Sequence, residues 1–113
     1  MLDLQNIIKI ADNNGKPCII ATVTDSCGSA PQQPGARMLV YADGRTVGSI
    51  GGGCVEGNAI KKSLSMLVSN NENAENFFTL RVELNDPLDQ KDGDICGGTM
   101  DILLEKLNPQ ILK

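Results

Sequence analysis

Cys54 follows three consecutive glycines, Gly51-Gly52-Gly53, and precedes Val55-Glu56-Gly57. Cys96 stands directly before Gly97-Gly98. Cysteine beside glycine joins a soft nucleophile to a backbone that a ligand can approach closely. A strand entering the first glycine run and a helix leaving it would also present unpaired N–H groups at the positive end of the helix dipole, which is an anion site. A cysteine at that helix start is placed to favour the thiolate form. Cys54 and Cys96 lining one pocket would suit a soft metal, a persulfide or a reversible disulfide. Two sulfurs alone do not make a zinc site, which takes four ligands. Glu56 reads either as an acid or base beside Cys54 or as a favourable charge in the first helical turn. Arg37, just before an expected strand, reads either as a bidentate partner for an anion or as a charge at a strand end. The glycine turn is akin to nucleotide-binding loops, but it lacks GxGxxG spacing and a Gly-Lys-Ser/Thr ending.

What the sequence lacks narrows the chemistry further. There is no His and no Trp. The first absence removes the commonest general base and the commonest metal ligand, and with them any Ser-His-Asp or Cys-His arrangement. Asp86, Asp89, Asp92 and Asp94 do not follow EF-hand spacing and read as solvated charge. The four cysteines, Cys18, Cys27, Cys54 and Cys96, form no CxxC pair. Two disulfides with three possible pairings are conceivable, but the first ten residues lack a basic stretch leading into an apolar one, so a cytoplasmic chain with reduced thiols is expected. Cys18, inside an apolar run, is a core candidate, and Cys27 is a loop thiol of open role. The net charge of −4 and the pI near 4.6 argue against a nucleic-acid partner. No apolar run reaches the length of a membrane span.

These residues need elements to position them. Leu4, Ile7, Ile8 and Ala11 recur at helical spacing behind Asp3 as cap, with Gly15 as the stop. Residues 18–24 form an apolar run expected as a central strand, and 25–36, with Pro31, Pro34 and two glycines, an ordered loop. Met38–Tyr41, the hairpin signal Asp43-Gly44 and Thr46–Ile50 predict two more strands. A helix is expected over about 54–68, with Ile60, Leu64, Leu67 and Val68 as its apolar stripe. Phe78, Leu80, Val82 and Leu84 alternate with polar residues, as do Met100, Ile102 and Leu104 with Asp101 and Glu105. The expected fold is therefore α+β: one mixed or antiparallel sheet of about five strands with two helices packed on it. At 113 residues, positions 1–113 are expected to form a single domain. The order is not alternating βαβα, which disfavours a doubly wound nucleotide fold.

Several blocks taken together carry a family likeness. They are Ala21-Thr22-Val23, Gly28-Ser29-Ala30-Pro31, Pro34-Gly35-Ala36-Arg37-Met38, Gly48-Ser49-Ile50-Gly51-Gly52-Gly53-Cys54-Val55-Glu56 and Cys96-Gly97-Gly98-Thr99. In this order and at these separations the sequence resembles the N-terminal domain of the XdhC/CoxI family, maturation factors for molybdenum hydroxylases such as xanthine dehydrogenase. The likeness runs from about residue 18 to residue 107.

It implies an accessory factor or chaperone more than a turnover enzyme. Such a factor binds the molybdenum cofactor, helps replace an oxo ligand by a sulfido ligand, and delivers the cofactor to the hydroxylase. A cysteine desulfurase would supply the sulfur. By the same likeness Cys54 and Cys96 would contact the cofactor and its metal. Gly51, Gly52, Gly53, Gly97 and Gly98 would cradle it, with Arg37 as anion partner and Glu56 beside them. The family's C-terminal Rossmann-like domain is not in this sequence, which implies a stand-alone version or a separate Rossmann-domain polypeptide. Gln32 and Cys27 depart from the family's usual residues. A sulfur-carrier protein and a non-catalytic oligomerisation subunit are the alternatives, and a homodimer is the expected assembly.

Overall fold

The computed structural model describes residues 4–27, 34–51, 53–68, 76–83 and 98–107. Its elements run α1 (Leu4–Asn14), β1 (Cys18–Cys27), β2 (Arg37–Tyr41), β3 (Thr46–Gly48), α2 (Gly53–Val68), β4 (Phe77–Glu83) and β5 (Thr99–Leu107). The five strands form one sheet in the order β3-β2-β1-β5-β4. Every neighbouring pair is antiparallel. The α+β expectation holds, and of its two sheet options the antiparallel one is realised.

Helix α1 buries Ile7 and Ala11, one turn apart on one face. It ends where Gly15 adopts φ 74° and its N–H donates to the Ala11 carbonyl at 3.1 Å, the left-handed cap that glycine permits. The expected cap Asp3 lies outside the described residues.

The two helices lie on opposite faces of the sheet, as strand alternation dictates. Ile19, Ala21 and Val23 of β1, Met38 and Val40 of β2, and Met100, Ile102 and Leu104 of β5 pack with Val55, Ala59 and Met66 of α2. Cys18, Ile20, Leu39 and Tyr41 point the other way and pack with Ile7 and Ala11 of α1.

Three elements differ from expectation. Strand β1 continues to Cys27 because β5 pairs along its whole length, to Cys27 opposite Thr99. A bulge between Val23 and Asp25 absorbs the extra residue, and the Thr24 hydroxyl donates to the Asp101 carbonyl at 3.2 Å. Strand β3 stops at Gly48, whose φ of 87° turns the chain out of the sheet two residues early. The buried stripe of α2 is Val55, Ala59, Ser63 and Met66, with Ile60 and Leu67 partly covered, whereas Val68 is 75% exposed. Apolar residues occupy a wide arc of this helix, and the sheet selects which edge of the arc is covered.

Two expected results follow from the fold. Gly57 sits exposed within α2, and a Cβ there would meet nothing within 4 Å. Gly57→Ala should raise unfolding stability by about 0.5–1 kcal/mol in a urea titration, because glycine is entropically costly in a helix. On the sheet, Arg81 Nε donates to Asp101 Oδ1 at 2.9 Å and Arg81 Nη2 to Asp101 Oδ2 at 3.2 Å. These hydrogen bonds hold the Asp101 carboxyl below its ordinary value of 3.8, against a smaller opposing desolvation. A carboxyl depressed in the folded state stabilises above its unfolded value and loses that contribution as pH falls through the folded one. The stability gap between the native chain and Arg81→Gln should therefore be full at neutral pH and close below pH about 4. Urea titrations across that range would read it.

Candidate functional site

The register gathers one end of the sheet. Strand β2 starts there at Arg37, opposite Thr22, and β3 ends there at Gly48, opposite Met38. Strand β1 ends at Cys27 and β4 at Glu83, both opposite Thr99 at the start of β5. Because β3 leads straight into α2 through residues 49–52, the helix also begins at this end. Of the expected site residues, Arg37, Gly51, Gly53, Cys54, Glu56 and Gly98 are described and lie at this end. Gly52, Cys96 and Gly97 lie outside the described residues.

The turn between β3 and α2 is shaped by its glycines. Gly48, Gly51 and Gly53 adopt φ of 87°, 127° and 57°, left-handed values that a side chain disfavours. Between them Ile50 is fully buried and pins the turn to the core. Glu56 reaches back from the first turn of α2. Its Oε2 accepts from the Ser49 hydroxyl and, at 3.1 Å, from the Ile50 N–H. The Gly51 N–H donates to Ser49 Oγ at 3.2 Å. Glu56, an acid in the first turn of α2, thus braces the loop. Glu56→Ala should lower stability by about 1–2 kcal/mol, since it leaves the half-buried Ile50 N–H unpaired. Chemical denaturation reads this, and an unchanged midpoint would contradict the brace. Ser49 is the turn-bracing residue that sequence reasoning gave no role. Its only signal was a hydroxyl seven positions before an acid, a spacing with no local periodicity to mark it.

Cys54 is exposed with a free thiol in the first turn of α2. Cys27 is a second exposed free thiol, at the end of β1 rather than in a loop. Cys18 is buried, and desolvation pushes its thiol up to about 11, which keeps it protonated and inert at neutral pH. Its core assignment holds.

Arg37 begins β2 on the face opposite Met38 and Val40, whereas α2 covers the Met38–Val40 face. It therefore shares the sheet end with Cys54 but not the side. Its Nη1 donates to the Gly35 carbonyl at 3.1 Å, while its Nε is buried without a hydrogen-bond partner. Among the described residues, no three His, Cys, Asp or Glu side chains gather as a metal cluster. The arrangement suits an anionic group that brings its own soft metal. It offers a thiol, helix-start N–H groups that the helix itself leaves without an acceptor, and a glycine turn with room for close approach.

Residues 11–78 match the XdhC and CoxI family, a span that includes the glycine turn and Cys54. An Escherichia coli protein, the uncharacterized protein YqeB, is 40% identical over 88 residues, covering 78% of this chain and 15% of YqeB. The molybdenum cofactor insertion chaperone PaoD of Escherichia coli is 39% identical over 56 residues, 50% of this chain and 18% of PaoD. A crystal structure of a xanthine dehydrogenase from Bacillus halodurans matches 99% of this chain and 33% of its own, with a TM-score of 0.75 and 27% identity. The chain thus spans less than a fifth of the length of these curated relatives.

Proposed function

Because this chain belongs to the XdhC and CoxI family, we propose that it binds the molybdenum cofactor and takes part in maturing a molybdenum hydroxylase of the xanthine dehydrogenase kind. The observation that carries this reading is the glycine turn at the head of α2, which presents the exposed Cys54 thiol in the first helical turn and is braced by Glu56. The similarity to a molybdenum cofactor insertion chaperone supports it.

The residues present fit an anionic, soft-metal ligand. Cys54 is the soft donor, and the first-turn N–H groups favour negative charge, while Glu56 turns its carboxylate back to the Ser49 hydroxyl and the Ile50 N–H. When bound, the cofactor supplies the metal-centred chemistry, and the protein supplies binding and orientation. Arg37, on the other face of the sheet end, contacts only a ligand that wraps round that end. Cys96, Gly97 and Gly98 complete the proposed cradle. On this reading residues 1–113 act as one domain in the cytoplasm, as a homodimer. A cysteine desulfurase is the sulfur source for sulfuration, and a Rossmann-like polypeptide is a further partner.

The test is retention. Protein incubated with the cofactor and desalted should carry molybdenum, and Cys96→Ala should carry less. Metal-free protein after desalting would overturn the reading. A stable persulfide on Cys54 in protein that retains no cofactor would instead make it a sulfur carrier.

A further inference from the structure

Strand β4 is an edge of the sheet, and among the described residues no strand lies on its outer side. The other edge, β3, has three residues, whereas β4 has seven. The inner neighbour sets the hydrogen-bond phase of β4. The Lys106 N–H donates to the Asn76 carbonyl at 2.8 Å, one step before the Phe77–Glu105 pair. Antiparallel bonding alternates along a strand, so Phe78, Leu80 and Val82 bond to β5. Phe77, Thr79, Arg81 and Glu83 therefore turn their N–H and C=O groups outward, as a row open to another strand. The side chains add a second feature. Phe78, Leu80 and Val82 share the face that α2 covers, yet Phe78 and Leu80 are only partly buried. The apolar cluster thus runs out to this edge and stops there half-covered.

We infer that β4 pairs with β4 of a second copy of this chain, antiparallel and centred on Leu80. The inference rests on the homodimer named above and supplies its surface. The strand is self-complementary in this register, which joins all seven residues. Every outward N–H and C=O group finds a partner, with Thr79 of each copy opposite Arg81 of the other and Phe77 opposite Glu83. Leu80 meets Leu80 and Phe78 meets Val82 at the non-hydrogen-bonded positions, where side chains come closest. The half-covered apolar edge of one copy therefore closes on that of the other. Neighbouring registers are poorer. A shift of two residues one way sets Arg81 against Arg81, a like-charge pair, and a shift of two the other way leaves Val82 with no partner inside β4. The two-fold axis stands perpendicular to the sheet, so both α2 helices lie on one face of a continuous sheet, and the two Cys54 ends point in opposite directions.

Sedimentation of the full chain at micromolar concentration should show a dimer. Thr79→Lys sets a like charge against Arg81 at two places in that dimer and should weaken it about tenfold, whereas Thr79→Glu should hold or tighten it. Thr79 bonds outward, so neither change touches a hydrogen bond to β5. Leu80→Cys, made in Cys27→Ala, Cys54→Ala, Cys96→Ala protein, should join two chains by one disulfide on oxidation with copper phenanthroline, because the position faces itself at a distance a disulfide spans. Thr79→Cys in the same protein should not, because it faces Arg81. A monomer would overturn both this surface and the homodimer, while molybdenum retention tests the cofactor reading separately. A dimer that Leu80→Cys does not link and that both Thr79 changes leave alone would keep the homodimer and overturn the β4 surface. Equal weakening by Thr79→Lys and Thr79→Glu in protein with native spectra would also overturn it, since the register demands opposite effects.

Discussion

Cys54→Ala is expected to reduce molybdenum cofactor retention by at least about tenfold while leaving the fold intact. Removing even an outer partner of a metal site typically costs about 10–100-fold in affinity, and a direct soft donor should cost no less. The thiol is exposed, so its loss creates no cavity, and the change in stability should stay within about 0.5 kcal/mol. Metal content after desalting, read beside a urea titration, separates the two effects. Cys27→Ala is the matched control, because it removes an exposed thiol at the same end of the sheet. Retention unchanged in a folded Cys54→Ala protein would remove Cys54 from the site. Equal losses in both variants would point to a general thiol effect rather than to the glycine turn.

Ile102→Ala is expected to be the most damaging change to the fold. Ile102 is fully buried in β5, the strand between β1 and β4, directly opposite Val23 on one side and Leu80 on the other. It belongs to the cluster that α2 covers. Truncating such a side chain removes its burial and leaves a cavity that the neighbouring strands cannot close, at about 2–5 kcal/mol. A domain of this size has only about 5–15 kcal/mol to lose. The melting midpoint should fall by roughly 10–20 °C. Leu103→Ala, one position along and half-buried on the other face, should cost less. Similar losses at both positions would mean that the two faces of the sheet are not packed as described.

Local sequence signals located most elements because they report local physics. The Ile7–Ala11 spacing and Gly15 marked α1, Asp43-Gly44 marked the hairpin, and the alternation in Phe77–Glu83 and Thr99–Leu107 marked β4 and β5. Each reflects a constraint that acts within a few residues: helical or strand periodicity, or a backbone turn that glycine alone makes cheaply. The glycine run before Cys54 was readable for the same reason, since three left-handed glycines in a row of six residues force a turn between strand and helix whatever surrounds them.

Other features depend on partners far away in the chain. Strand β1 reaches Cys27 only because β5, more than seventy residues later, pairs with it. The covered stripe of α2 is settled by the sheet beneath it, not by its own apolar residues, which fill too wide an arc to choose. The face on which Arg37 lies follows from its register with Thr22, and a one-residue slip would reverse it. The row of backbone groups that β4 turns outward follows from its pairing with β5. From the residues alone came the kinds of groups available and the turn that presents Cys54: a soft thiol, glycine-rich backbone, few cations and no imidazole. Which of those groups share an end, a face or an edge was decided by long-range strand pairing, because side-chain direction alternates with every residue and only pairing sets where the alternation begins.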